Sequence, residues 1–200
     1  GWAPGVYYMI EIWWNKMFYP NKKNMPTRRA SFIWDNVLVS VYGVAWIAGL
    51  YALAGATGQS AALLLVTGFV VPFLFWCAMI GFVVYVHHTH TSVSWHAERV
   101  AWGRAQPFVS TTVHLTFPAR IGALMHHIME HTAHHVDMSV PLYRLKTAQK
   151  KLEELLPGRI IIQNFSWRWY FDTARRCKLY DFAAGCWTDY KGRPTSVAAA

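Results

Sequence analysis

Charge is what this sequence has least of. Charged residues make up 14% of its 200 positions, whereas a soluble domain carries roughly 25%. Acidic residues are scarcer still, 10 Asp and Glu against 19 Lys and Arg, for a net charge of +9. The basic residues flank apolar runs and form no aromatic-interleaved patch. This argues against nucleic acid and for anionic headgroups or an acidic protein partner. Cysteine is also sparse. Cys77, Cys177 and Cys186 are an odd number without metal-ligand spacing, so they read as reduced thiols and give no disulfide framework. There is no Cys-x-x-Cys and no His-Glu-x-x-His, so the familiar zinc signatures are missing. No Gly-rich phosphate loop, internal repeat or placeable Ser/His/Asp set is found. Gly1 opens the chain without a basic–apolar–small signal pattern, so it follows either a processing event or a cut in a longer protein.

What fills the space is apolar, 54% of the residues. From Asn36 to Ala97 there is no Asp, Glu, Lys or Arg. Two runs within that stretch, Asn36–Ala56 and Ala61–Val86, each exceed the ~20 residues that span a bilayer core. The short polar Thr57-Gly58-Gln59-Ser60 joins them, which predicts a transmembrane helical hairpin rather than a buried core hairpin. Pro72 lies mid-way in the second helix, where a kink is tolerated if a neighbour re-satisfies the backbone. Before the hairpin, the aromatic-rich residues 5–19 are too short and polar to span and read as an interfacial helix ended by Pro20. A basic loop through Lys22, Lys23, Arg28 and Arg29 follows. Lys and Arg lie on both outer flanks, with Arg99 and Arg104 on the far side and none in the connecting loop. The positive-inside rule therefore places both flanks in the cytoplasm.

All ten histidines fall between His87 and His135. His131, His134 and His135 stand at i, i+3 and i+4, which puts them on one face of a helix expected over Arg120–Asp137. His127 would sit one turn back on the same side. Three imidazoles so placed can converge on a metal. Imidazole suits iron, copper, nickel and zinc alike, so the identity of the metal stays open at this point. If the second apolar helix runs on, His87 and His90 share a face while His88 points about 100° away. His114 lies in 108–117, an alternating, β-rich strand or linker, and reads as structural. Pro141 opens a helix with Leu142, Leu145, Ala148, Leu152 and Leu155 at helical spacing, stopped by Pro157-Gly158. Lys150, Lys151, Glu153 and Glu154 read as its solvated face. Residues 159–165 read as a short strand. The expected architecture is an all-α membrane protein in four parts. Residues 1–35 form the interfacial helix and basic loop, 36–86 the hairpin, 87–140 the cytoplasmic histidine region and 141–200 a cytoplasmic cap.

His131-Thr-Ala-His134-His135, followed by Val-Asp-Met-Ser-Val-Pro-Leu-Tyr-Arg-Leu-Lys, resembles the third histidine box of the integral-membrane fatty acid desaturases, in particular the bacterial acyl-lipid or delta-12-like members. Tyr85-Val-His-His-Thr-His90 is similar to that family's Tyr-Leu-Gln-His-Thr-His element after the last transmembrane helix. Lys178-Leu-Tyr-Asp-Phe and Cys186-Trp-Thr-Asp-Tyr are also familial in character. The resemblance covers essentially the whole chain.

The resemblance implies a non-haem di-iron enzyme that uses O2 to remove hydrogens from an unactivated acyl chain and leave a double bond. Electrons come from a ferredoxin or b-type cytochrome partner, and the acyl group is held on a lipid or another carrier. Such chemistry needs a redox metal, which zinc is not. His131, His134 and His135 match the third box, and His88 matches the additional ligand. His87 stands where the family has Gln, so His87 and His90 remain candidates beside His88. His127 and Glu130 have no counterpart, and Glu130 and Asp137 could orient ligand imidazoles. The family's two earlier histidine boxes have no match here, since no histidine precedes residue 87. The chain is therefore expected to be the C-terminal half of a desaturase, unable alone to assemble the full di-iron centre. A related di-iron hydroxylase or carotenoid oxygenase is the enzymatic alternative. A membrane metal-binding or metal-transport protein is the other alternative, although neither apolar run carries the ionisable groups a transport path needs.

Overall fold

The computed structural model describes residues 2–7, 10–11, 29–104, 108–119 and 121–198. Most of the interfacial segment expected over 5–19, and the loop residues Lys22, Lys23 and Arg28, lie outside the described residues. The architecture is mostly helical, and among the described residues two helices are long and apolar enough to cross a bilayer, Ile33–Thr57 and Ala61–His88. The chain forms two compact units, Gly1–Phe82 and Val83–Ala200.

In the first unit, α1 (Trp2–Tyr7) precedes the long α2 (Arg29–Thr57). Helix α2 starts before Asn36 and takes in Asp35. A charge-free run marks where lipid can begin, whereas a helix propagates through any residue able to extend its hydrogen-bond ladder. Gly58, at φ +70, turns the chain, and the Ser60 hydroxyl caps α3 (Ala61–Leu65) by accepting from the Leu63 N–H. A widened π turn, Val66–Val70, then leads into α4 (Val71–His88). The cause is Pro72, which has no N–H to give the carbonyl of Gly68 four residues back. That carbonyl instead accepts from Trp46 Nε1 on α2 at 3.0 Å. Gly68 also lets the helices approach, because a Cβ there would stand 2.9 Å from Leu50 Cδ2. Large apolar side chains such as Leu38, Tyr42, Val44, Leu63 and Phe75 are exposed on these helices. A soluble core hairpin would bury them, so the outward face suits lipid.

The second unit begins with the last turn of α4. It continues through α5 (Arg99–Arg104), β1 (Val113–Thr116), α6 (Ile121–Leu124), α7 (His131–Val136), α8 (Leu142–Leu155), β2 (Ile161–Asn164), α9 (Trp167–Arg176), β3 (Leu179–Asp181) and β4 (Cys186–Thr188). Strands β1 and β2 pair in parallel, with Val113 opposite Ile161 and Thr116 opposite Asn164. Strands β3 and β4 form an antiparallel hairpin turned at Gly185. Val86, Val93, Val113, Leu115, Met129 and Leu145 make the fully buried apolar core. Trp187, itself buried, donates from Nε1 to the Val93 carbonyl at 3.2 Å and so anchors the C-terminal hairpin to the segment after α4. Cys77, Cys177 and Cys186 are free and buried, and burial pushes the Cys177 thiol up to about 12, which makes it inert at neutral pH.

The continuous helix expected over Arg120–Asp137 does not form. It is split into α6 and α7 by a turn in which His126 and His127 take positive φ, 50° and 60°. The physical reason is a competing partner. Leu115 on β1 donates its N–H to the Met129 carbonyl at 3.2 Å, which lays residue 129 along the strand and out of helical phase. Likewise α4 stops at His88, so His90 lies beyond the helix and not on the face of His87.

Candidate metal centre

Two elements bring the histidines together. The end of α4 supplies His87 and His88, and the short α7 supplies His131, His134 and His135. His131 Nε2 lies 3.1 Å from His88 Nε2 and 3.1 Å from His135 Nε2. One ring-nitrogen donor atom from each of these three residues falls within 4.8 Å of the other two, a grouping that could hold a metal ion.

The tautomer of His88 is fixed from behind. Its Nδ1–H donates to the Thr111 carbonyl at 3.2 Å, which leaves the Nε2 lone pair facing the other two rings. Burial keeps protons away. Desolvation, followed by repulsion from the neighbouring imidazoles, holds His131 far below the ordinary histidine range. Desolvation and then His88 and His134 push His135 down to about 4. Neutral imidazoles carry one proton each, so three Nε2 atoms this close cannot all be satisfied by one another. His131 Nδ1 is also buried and has no hydrogen-bond partner among the described residues. Converging, desolvated lone pairs of this kind fit a borderline transition-metal cation.

The remaining candidates fall around this trio. The His134 ring stands 5.3 Å from that of His131 and 5.9 Å from that of His135, beside the three-nitrogen cluster. His87 is fully buried and stacks face-on against His131, with ring centroids 3.8 Å apart. Its Nε2 meets Met129 Sδ at 2.8 Å, and its Nδ1 has no hydrogen-bond partner among the described residues. Both nitrogens of His90 are engaged, Nε2–H donating to Gln163 Oε1 and Nδ1 accepting from the Ser92 N–H, so this arrangement leaves it no free lone pair. His127 lies in the turn before α7, at positive φ. Its Nδ1–H donates to Glu130 Oε1 at 3.0 Å in a separate cavity that also borders His114, Gln149 and Glu153. Glu130 thus meets His127 and not a member of the trio, and its Oε2 is buried with no hydrogen-bond partner among the described residues. The Asp137 carboxylate accepts from the hydroxyl and then the N–H of Ser139, which hold it below the usual carboxylate range. His114 Nδ1–H donates to Glu153 Oε1 at 2.6 Å.

Two supports of the site carried little or no signal in the sequence. The Thr111 carbonyl behind His88 is a backbone group and is invisible there. The buried Thr112 and Thr132 hydroxyls share a 2.9 Å hydrogen bond that joins the turn before β1 to α7. Gln149 was legible in principle, as a polar residue in the apolar phase of α8.

Comparison with known proteins points one way. A family model described as Fatty acid desaturase matches residues 1–167. Among curated proteins, the chain is 32% identical over 96 residues to a chloroplastic omega-6 fatty acid desaturase of Glycine max, covering 48% of this chain and 22% of that protein. It is 29% identical over 96 residues to an sn-1 oleoyl-lipid 12-desaturase of a Synechocystis species, covering 48% and 27%. It is 23% identical over 180 residues to the sn-1 oleoyl-lipid 12-desaturase of a Picosynechococcus species, covering 90% and 48%. The chain thus spans less than half the length of each of these relatives.

Proposed function

The chain belongs to the fatty acid desaturase family, and from that premise we propose that its histidine region forms part of the iron centre of a membrane enzyme that introduces a double bond into an acyl chain. The observation that carries this reading is the convergence of His88, His131 and His135 through three Nε2 atoms. The proposed iron ligands are His88, His131, His134 and His135. Two iron ions and O2 are the proposed cofactors. Iron held there would supply the oxidising power for a reaction in which adjacent methylenes lose two hydrogens to form the double bond, while O2, two electrons from a ferredoxin or b-type cytochrome and two protons complete its reduction to two waters.

The chain's own residues do the preparatory work. Thr111 holds His88 in the ligand tautomer. Burial keeps the His131 and His135 rings neutral, so that protons do not compete for their lone pairs. The buried His87, stacked on His131 and backed by Met129, excludes water from one side of the trio, which limits loss of oxidising equivalents to solvent. The proposed orientation puts this region at the cytoplasmic surface, since the basic residues flank the hairpin and leave its connecting loop neutral.

The relatives that act on oleoyl lipid make an oleoyl chain esterified in a lipid the first substrate to test. The complete coding sequence, expressed in cells rich in oleoyl lipids, should yield a new diunsaturated species by gas chromatography, and His131→Ala should abolish it. Hydroxylated or keto products would assign the hydroxylase or oxygenase alternative. The 200-residue chain alone should bind fewer than two irons, because the trio and His134 offer too few imidazoles for two complete coordination spheres.

A further inference from the structure

We propose that Gln149 is a positioning residue for the metal-binding imidazoles, a step that rests on the metal reading above. Helix α7 runs only from His131 to Val136, and its N-cap residue, Glu130, makes no side-chain cap hydrogen bond. The N–H groups of a first helical turn need acceptors from outside the helix. The one on Ala133, a buried residue, finds its acceptor on another element: Gln149 Oε1 of α8, at 2.9 Å. Ala133 lies between His131 and His134, so this bond pins the backbone of the turn that carries all three imidazoles of α7.

The Gln149 amide is held at both ends. Its Nε2 donates to Glu153 Oε1 at 2.9 Å, and the same oxygen accepts from His114 Nδ1 on β1. The amide orientation is therefore unambiguous, and one hydrogen-bonded chain runs from β1 through α8 into α7. Gln149 is 1% exposed and lies in the apolar phase of α8, four residues after the buried Leu145 and three before Leu152. A leucine would fill the same space and continue the apolar stripe. It would leave the Ala133 N–H without its acceptor, a cost that a merely space-filling position does not carry. Ligand nitrogens 3.1 Å apart tolerate little drift of the helix that bears them.

The test uses the whole 200-residue chain in lipid nanodiscs with Co(II) as probe, read by calorimetry and by the cobalt ligand-field spectrum. Amide exchange at Ala133 is followed in the metal-free protein. Gln149→Leu should speed Ala133 exchange, alter the cobalt spectrum and weaken cobalt binding by about 10- to 100-fold. The exchanged pair Q149E/E153Q rebuilds the network with His114 in its other tautomer. The carboxylate it places at position 149 accepts from the Ala133 N–H. The amide nitrogen it places at position 153, standing where the shared oxygen stood, donates one hydrogen to that carboxylate and the other to His114 Nδ1, with the imidazole proton now on Nε2. The pair should recover most of the lost affinity, whereas Q149E alone, with two carboxylates side by side, should not. Leu145→Ala controls for general loosening and should leave the cobalt spectrum unchanged. Should the leucine variant not fold, Q149E and the exchanged pair carry the comparison. The inference is overturned if Q149L, or Q149E in its place, binds cobalt like the unsubstituted chain, if the exchanged pair shows no recovery, or if Leu145→Ala reproduces the spectral change. Failure of the unsubstituted chain to bind cobalt at all would instead overturn the metal reading itself.

Discussion

His131 is the residue on which the trio turns, since its Nε2 touches both other Nε2 atoms while theirs meet through it. His131→Ala should therefore cost more cobalt affinity than His135→Ala, with a loss of at least about 100-fold, the upper end of what an outer-shell change costs. Calorimetry on the two variants measures the difference. The depressed histidines also set a pH dependence. An unfolded histidine titrates near 6.5, whereas His135 is down to about 4 and His131 lower still. Between those values the unfolded chain binds more protons than the folded one, so stability rises with pH through this window. The metal-free melting temperature should thus be level above about pH 7 and fall as the pH drops from about 6.5 to 4. His135→Ala should flatten part of that fall. The imidazoles themselves were plain in the sequence, and so was their grouping on both sides of residue 100. What was not plain was the choice among them. His90 and His127 spend a ring nitrogen each on Gln163 and Glu130, partners that local spacing says nothing about.

At the level of elements, the apolar hairpin was legible because lipid imposes a simple rule: no charge for about 20 residues. The Pro72 repair was legible only as a requirement. Trp46 meets it across the hairpin, and Trp46→Phe should leave the Gly68 carbonyl unpaired in an apolar setting. The expected loss is about 0.6–2 kcal/mol, measured as a lower thermal midpoint in detergent, with Trp46→His a partial rescue through its ring N–H. Both short strands were visible as β-rich segments, yet nothing in either says that they pair in parallel across 48 residues of chain, as Thr116 and Asn164 do. That pairing, with Leu115 reaching Met129, is what broke the expected polyhistidine helix. Local periodicity was right for His131–Val136 and wrong before it, because a sheet-edge hydrogen bond outranked the helical ladder.

For the whole molecule, the proposed orientation is open to direct labelling. The three native thiols are buried, so an added cysteine reports with little background. A cysteine at Gln59, in the loop between the apolar helices, should react with a membrane-impermeant maleimide on intact cells. One at Lys191 should react only after permeabilisation. The reverse pattern would put the histidine region on the outer side. His88 and His131 lie 43 positions apart along the chain, so any cation that joins them also closes the loop of chain between, like a rivet through two plates. Stripping the ion should let residues 89–104 breathe, and trypsin should then cut at Arg99 or Arg104 in the stripped protein well before it does so in the loaded one.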